Sequence, residues 1–230
     1  RDMKKILLAT AATAALSGAA FADAHGNEVR LGVLLSFTGP IESLVPAIAG
    51  GAELAMAEAT ASGNFMDGMT VTPVRADATC VDASAATAAA ERLVTSDEVA
   101  GIVGADCSGV TTAAVSNVGV PNGIVMISPA ATSPALSEIE DNGLFFRTAP
   151  SDARQGEVLA NVIMDRGFES IAITYTNNDY GLGFADALSA AYEELGGTVT
   201  LVAAHEDGRA DYSDEVGALA AAGGDVLVVL

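Results

Sequence analysis

Short apolar runs alternate with longer, alanine-rich stretches along the chain, and this alternation predicts the fold. Positions 29–35, 69–76, 99–103 and 123–127 are compact, mostly apolar runs, the pattern of strands buried in a parallel sheet. Between them, 44–62, 83–95 and roughly 111–118 carry small and apolar residues at helical spacing, and Gly63 closes the first. Residues 144–148 read as one more extended piece. After Pro150 the cycle restarts. Ser151 suits the N-cap of a helix to about Asp165. Strand 170–176, helix 180–195, strand 198–204 and helix 212–222 follow, and 225–230 reads as a buried strand. Gly196-Gly197 and Gly223-Gly224 sit where helix C-caps want glycine. The expected fold class is α/β: two Rossmann-like, parallel-sheet lobes, 23–148 and 149–230, joined near Arg147-Thr148-Ala149-Pro150 by a link short enough to be a hinge.

The ends add context. Lys4 and Lys5 precede an apolar run from Ile6 to Leu16 and the exit Ala20-Phe21-Ala22, the layout of a secretory signal peptide over 1–22, with Arg1 and Asp2 upstream of the start Met. The apolar run is shorter than the ~20 residues that span a bilayer. Export to the periplasm is therefore expected. The last apolar run meets no turn signal, so the second lobe is expected to continue beyond Leu230.

Charge excludes whole classes of partner. The net charge is −20, and Lys4 and Lys5 are the only lysines, so nucleic acid and anionic lipid are repelled. Half of the residues are apolar, enough for a packed core. Cys80 and Cys107 would pair in an oxidising compartment. The alternative, a metal or redox pair, lacks clustered histidines: His25 and His205 lie far apart and outside any ligand spacing. No metal and no cofactor are expected.

In an open α/β sheet, ligands bind outside the carboxyl ends of the strands, which directs attention to four loops. Ser36-Phe37-Thr38-Gly39-Pro40 offers hydroxyls, or is a plain turn. Gly104-Ala105-Asp106-Cys107-Ser108-Gly109 has the glycine spacing of a phosphate loop without its lysine; the Ser108 and Thr111 hydroxyls at a helix start suit a carboxylate, unless Ser108 simply caps. Ser128-Pro129-Ala130-Ala131-Thr132-Ser133-Pro134 is stiffened by two prolines and presents carbonyls and hydroxyls in set directions, for an ammonium and a carboxylate. Asn177-Asn178-Asp179-Tyr180-Gly181 places a ring to cover an apolar ligand group, and also supplies a helix cap. Catalysis is not expected. A nucleophile needs a nearby base, no G-x-S-x-G elbow occurs, and neither histidine lies in these loops.

In order, these segments resemble the branched-chain amino-acid-binding proteins (leucine/isoleucine/valine type) of ABC importers, over 29–230. The marks are Leu31-Gly32-Val33-Leu34-Leu35-Ser36-Phe37-Thr38-Gly39-Pro40, the helix 50–59, Cys80 with Cys107-Ser108, Met126-Ile127-Ser128-Pro129-Ala130-Ala131-Thr132-Ser133-Pro134, Phe146-Arg147-Thr148, and Asp179-Tyr180-Gly181-Leu182-Gly183. The resemblance implies a two-lobed Venus-flytrap fold that closes on ligand, with the family's disulfide falling on Cys80 and Cys107. It implies a ligand carboxylate held at Ser108, beside Cys107, and at Thr132, beside Ala131. It implies an ammonium met by the Ala130 carbonyl and Tyr180 closing from the second lobe. It further implies a monomer that delivers an amino acid to a membrane permease. Leu44 departs from the pattern, standing where well-known members carry a pocket tyrosine. The family's acidic partner for the ammonium falls beyond Leu230. A short amide, urea or an aromatic acid as ligand, or a sensor lobe of a signalling system, are the rival readings.

Overall fold

The computed structural model describes residues 26–230, so the leader pattern at 1–22 and His25 lie outside the described residues. Lobe 1 contains strands β1 (Glu28–Leu35), β2 (Thr70–Asp77), β3 (Gly101–Gly104), β4 (Val125–Ser128) and β5 (Phe145–Arg147). They form one parallel sheet in the order β2-β1-β3-β4-β5. Helices α1 (Val45–Ser62) and α2 (Ala83–Thr95) link the first three strands. α3 (Ser108–Ala114) runs through a π-turn at Val115–Gly119 into the short α4 (Val120–Asn122). The sheet has two covered faces because successive side chains alternate. Val33 and Leu35 of β1 pack with Val45, Ala49 and Met56 of α1. Leu34, between them, packs on the other face with Ala90, Leu93, Ile102, Val110 and Met126. Each fully buried side chain of this size contributes about 1.5–3 kcal/mol of transfer free energy.

Lobe 2 contains α5 (Asp152–Asp165), β6 (Ser170–Thr176), α6 (Asp179–Glu194), β7 (Thr198–His205), α7 (Ser213–Ala222) and β8 (Val226–Val229). Its parallel sheet has the order β7-β6-β8. Ile171, Ile173, Phe184, Leu188 and Tyr192 fill the core against Ala160 and Ile163. Tyr192 is completely buried and its hydroxyl donates to the Phe168 carbonyl at 2.9 Å. Gly156 lets α5 and α6 meet backbone to backbone: a Cβ there would lie 2.8 Å from the Ala187 carbonyl carbon and the Leu188 nitrogen.

One expectation changes. The helix expected near 111–118 begins at Ser108 and extends to Asn122. Pro121 has no N–H and crowds the carbonyl four residues back, and the wider π-turn just before it accommodates both effects. The final apolar run is a strand, paired in parallel with β6, and its Val228 packs into the core of this lobe.

Both sheets reverse direction in their strand order, lobe 1 between β1 and β3 and lobe 2 between β6 and β8. Such reversals open a crevice at the carboxyl ends of the strands. The four loops singled out above all follow strand carboxyl ends, after β1, β3, β4 and β6.

Candidate functional site

The crevice of lobe 1 is organised by a residue that the sequence reading passed over. Asp106, 3% exposed, accepts the Ser36 hydroxyl at 2.6 Å and the Ser36 N–H at 2.8 Å. It also accepts the Cys107 N–H at 3.0 Å. One buried carboxylate thereby pins the end of β1 to the loop after β3. The Thr38 hydroxyl is committed too, donating to Asp77 at 2.5 Å. The hydroxyls of the first loop therefore point into protein partners, and that loop acts as a turn. The Cys80–Cys107 disulfide, with Cα atoms 5.2 Å apart, anchors the second loop from another side.

The second and third loops are joined edge to edge. The Ser128 hydroxyl donates to the Ala105 carbonyl at 2.6 Å and accepts the Ala131 N–H at 2.9 Å. The Ser133 N–H donates to the Ser108 hydroxyl oxygen at 3.1 Å. Ser108 is the first residue of α3; the N-cap position belongs to Cys107, and capping does not explain the serine. Because its oxygen accepts here, its proton stays available for an anion. Thr111 does not share that role: it is fully buried and its hydroxyl donates back to the Cys107 carbonyl at 2.8 Å. Arg147, on β5, braces the third loop through the carbonyls of Ser133 (2.8 Å) and Ala131 (3.4 Å) and the Ser137 hydroxyl (2.6 Å). The Ala130 carbonyl and the Thr132 side chain lie outside this bracing.

Lobe 2 closes over these loops. The Asp152 N–H donates to the Thr132 carbonyl at 2.9 Å, straight across the link. The Cβ position of Gly109 lies 3.6 Å from the Asp179 carboxylate, and that of Gly183 lies 2.9 Å from Pro134 Cδ and Ser133 Oγ. Asn178 caps α6 by accepting the Gly181 N–H at 2.9 Å, the helix-cap alternative for this loop. Tyr180 follows at the second position of α6, 37% exposed, its ring 6.1 Å from Phe184. Leu44 is exposed at the N-cap of α1.

Asp152 is the second residue that sequence reasoning missed. It is completely buried, and neither carboxylate oxygen has a hydrogen-bond partner. Burial raises its carboxyl above the ordinary value, while the nearby Thr132 hydroxyl and the Arg147 charge act the other way. The Thr132 hydroxyl is near enough to act on the charge without closing a bond. Tyr180 is raised as well, by burial and then by the negative charge of Asp152. Ser108, Thr132, Tyr180 and Asp152 thus belong to one neighbourhood. In sequence, Asp152 looks like an ordinary acidic residue in the first turn of a helix, and Asp106 like loop polarity between Gly104 and Cys107.

Two clefts stand open among the described residues. One, of about 580 Å³ and apolar, lies beside α1 among Ile48, Met56, Phe65, Val103 and Ile127; the other, of about 670 Å³, lies between α5 and β8 and is lined in part by Tyr180, Gln155 and Arg166. Neither is lined by Ser108 or Thr132. Residues of lobe 2 cover the joined loops through the Asp152–Thr132 hydrogen bond and the close approach of Gly183 to Ser133 and Pro134. Among the described residues, no group of three or more His, Cys, Asp or Glu side chains is placed to hold a metal, and no helix is long and apolar enough to cross a membrane.

Known proteins share this fold. Residues 28–230 match the family described as periplasmic binding protein. The chain is 32% identical over 224 residues to a Leu/Ile/Val-binding protein homolog 3 of Brucella melitensis, covering 96% of this chain and 58% of that protein. It superimposes with a TM-score of 0.75 on the branched-chain amino acid transporter substrate binding protein LivJ from Streptococcus pneumoniae, solved with isoleucine, at 25% identity over 88% of this chain and 56% of that one. An ABC transporter substrate-binding protein from Desulfitobacterium hafniense, solved with Leu, gives a TM-score of 0.68 at 28% identity, over 88% of this chain and 58% of that one. The chain therefore spans less than three-fifths of the length of these relatives. A match running from the first strand to the last residue, on a fold of two parallel-sheet units, makes this chain a member of the periplasmic binding protein family.

Proposed function

We propose that the protein is an exported, periplasmic solute-binding protein that captures a branched-chain or similar aliphatic amino acid and delivers it to an ABC-transporter permease, without catalysing a reaction. The observation that carries this reading is the hydrogen bond between Ser133 N–H and Ser108 Oγ, which places the loops after β3 and β4 side by side at the carboxyl edge of lobe 1. The ligand carboxylate sits between the Ser108 and Thr132 hydroxyls, and its ammonium faces the Ala130 carbonyl. Tyr180 covers the side chain from lobe 2. The relatives bound to isoleucine and leucine support an amino acid as ligand. Contacts from both lobes favour the packed state, and the permease reads that state. The protein acts as a monomer.

Mass spectrometry of the small molecules that survive native purification of the full-length protein tests this directly. A branched-chain amino acid, displaced by added leucine, is the expected result. A different retained ligand, with no heat of binding for any amino acid in calorimetry, would overturn the proposal.

A further inference from the structure

We infer that Asp106 is a positioning residue for ligand capture: acting through Cys107, it aims the Ser108 hydroxyl at the ligand carboxylate and touches no ligand itself. This rests on the amino-acid reading above and deepens it, by naming the group that sets the strength of the carboxylate contact.

Ser108 needs support from outside its own helix. It opens a helix of seven residues, and Cys107 before it makes no side-chain cap. The cysteine is held from two sides instead: its N–H donates to Asp106 Oδ1 at 3.0 Å, and its sulfur is bonded to Cys80. Asp106 is held in turn by the end of β1. Oδ1 also accepts the Ser36 hydroxyl at 2.6 Å, and Oδ2 accepts the Ser36 N–H at 2.8 Å. A line of fixed groups therefore runs from the sheet through Ser36, Asp106 and Cys107 to Ser108. At its far end the Ser133 N–H donates to the Ser108 oxygen, so a shift of Ser108 also reaches the loop after β4. Asp106 itself stays out of contact with ligand, because it is 3% exposed and both of its oxygens are engaged by protein donors. A carboxylate only accepts, and three donors converge on this one. A buried ion gives little net stability, since lost hydration offsets its bonds, but it holds its donors in short, directed contacts. Such precision matters at Ser108. Hydrogen bonds weaken steeply with misalignment, and a binding group must be held within about 0.5 Å of its productive place.

The test is a double-mutant cycle on the full-length protein, read by titration calorimetry with L-leucine. Asp106→Asn keeps the size of the side chain, but whichever way the amide turns, its nitrogen faces a main-chain N–H, of Ser36 or of Cys107, and the loops after β1 and β3 part. This variant is expected to weaken leucine binding by at least about tenfold, an amount typical of losing one charge-assisted bond. In the Ser108→Ala background the same change is expected to alter affinity by less than about twofold, because the hydroxyl that Asp106 aims is gone. Equal weakening in both backgrounds marks a merely structural role and overturns the inference. So does wild-type affinity in Asp106→Asn. Ser36→Ala, which removes one donor and leaves Asp106 charged with two N–H partners, runs the same cycle should the first variant misfold. It is expected to weaken leucine by a smaller factor that vanishes beside Ser108→Ala, and a factor that persists there overturns the inference. Each of these failures leaves the amino-acid reading standing. A wild-type protein that binds no amino acid overturns both.

Discussion

Gly183 gives a sharp handle on lobe closure. It lies one turn into α6, and a Cβ there would sit 2.9 Å from Pro134 Cδ and from Ser133 Oγ. Carbon atoms attract best at about 3.5–4.0 Å, so Gly183→Ala requires the helix and the loop to separate by roughly 0.6–1 Å. The proline ring cannot turn aside, and Ser133 is 2% exposed, so the shift is taken up between the lobes. Overpacking of this kind costs about 1–3 kcal/mol. Lobe 2 on its own gains up to about 1 kcal/mol, because alanine favours a helix more than glycine does. The two effects fall on different measurements. Leucine affinity should drop by about 5–150-fold, the equivalent of 1–3 kcal/mol of lost coupling, while thermal stability without ligand stays equal or rises. Titration calorimetry reads the first and calorimetric melting the second; small-angle scattering of the ligand-saturated variant should show a larger radius of gyration than the wild type. Gly217→Ala is the control, since nothing lies within 4 Å of that Cβ position in α7, and it should stabilise without touching affinity. If Gly183→Ala binds leucine as tightly as the wild type, the packing of α6 on the loop after β4 is not the closing contact.

Three further outcomes follow from the same structure. Gly156→Ala forces a Cβ to within 2.8 Å of the α6 backbone and should lower stability by about 1–3 kcal/mol or more, visible as a lower urea midpoint, because neither helix backbone can yield cheaply. Replacing both cysteines by alanine, or reducing the disulfide, opens a loop of sequence separation 27 and should cost about 3.5 kcal/mol on the chain-entropy account, read by denaturant melts. Asp152 has a folded-state pKa raised by burial, so the native state holds that proton more tightly than the unfolded chain does. Its destabilising effect is absent below the unfolded value of about 3.9 and grows as pH rises through the raised folded value. Asp152→Asn should accordingly match the wild type in urea melts at low pH and exceed it by about 1–3 kcal/mol at neutral pH, without ligand.

Much of the fold was legible because apolar periodicity and punctuation agree. Helix 83–95 and strand 170–176 fall where the sequence puts them, and Ser151 caps α5 by accepting the Ala153 N–H at 3.2 Å. The π-turn before Pro121 was not legible, since periodicity carries no trace of a widened turn. At the site, loops were readable where proline, glycine and hydroxyls cluster. The roles of Asp106 and Asp152 were hidden, because their meaning lies in partners far along the chain: Ser36 for one, Thr132 and Tyr180 for the other. An acidic residue among 30 gives no local sign that it will be buried. Ser36 and Thr111 show the converse, hydroxyls well placed in sequence and consumed by the protein's own Asp106 and Cys107.

The central claim is that the joined loops at Ser108 and Thr132 grip the head group of an amino acid. A crystal structure of the full-length protein with bound leucine tests it most directly. The account predicts the leucine carboxylate within hydrogen-bonding distance of both the Ser108 and Thr132 hydroxyls, with Tyr180 over the side chain. Leucine seated elsewhere, or with its carboxylate turned away from both hydroxyls, would contradict it.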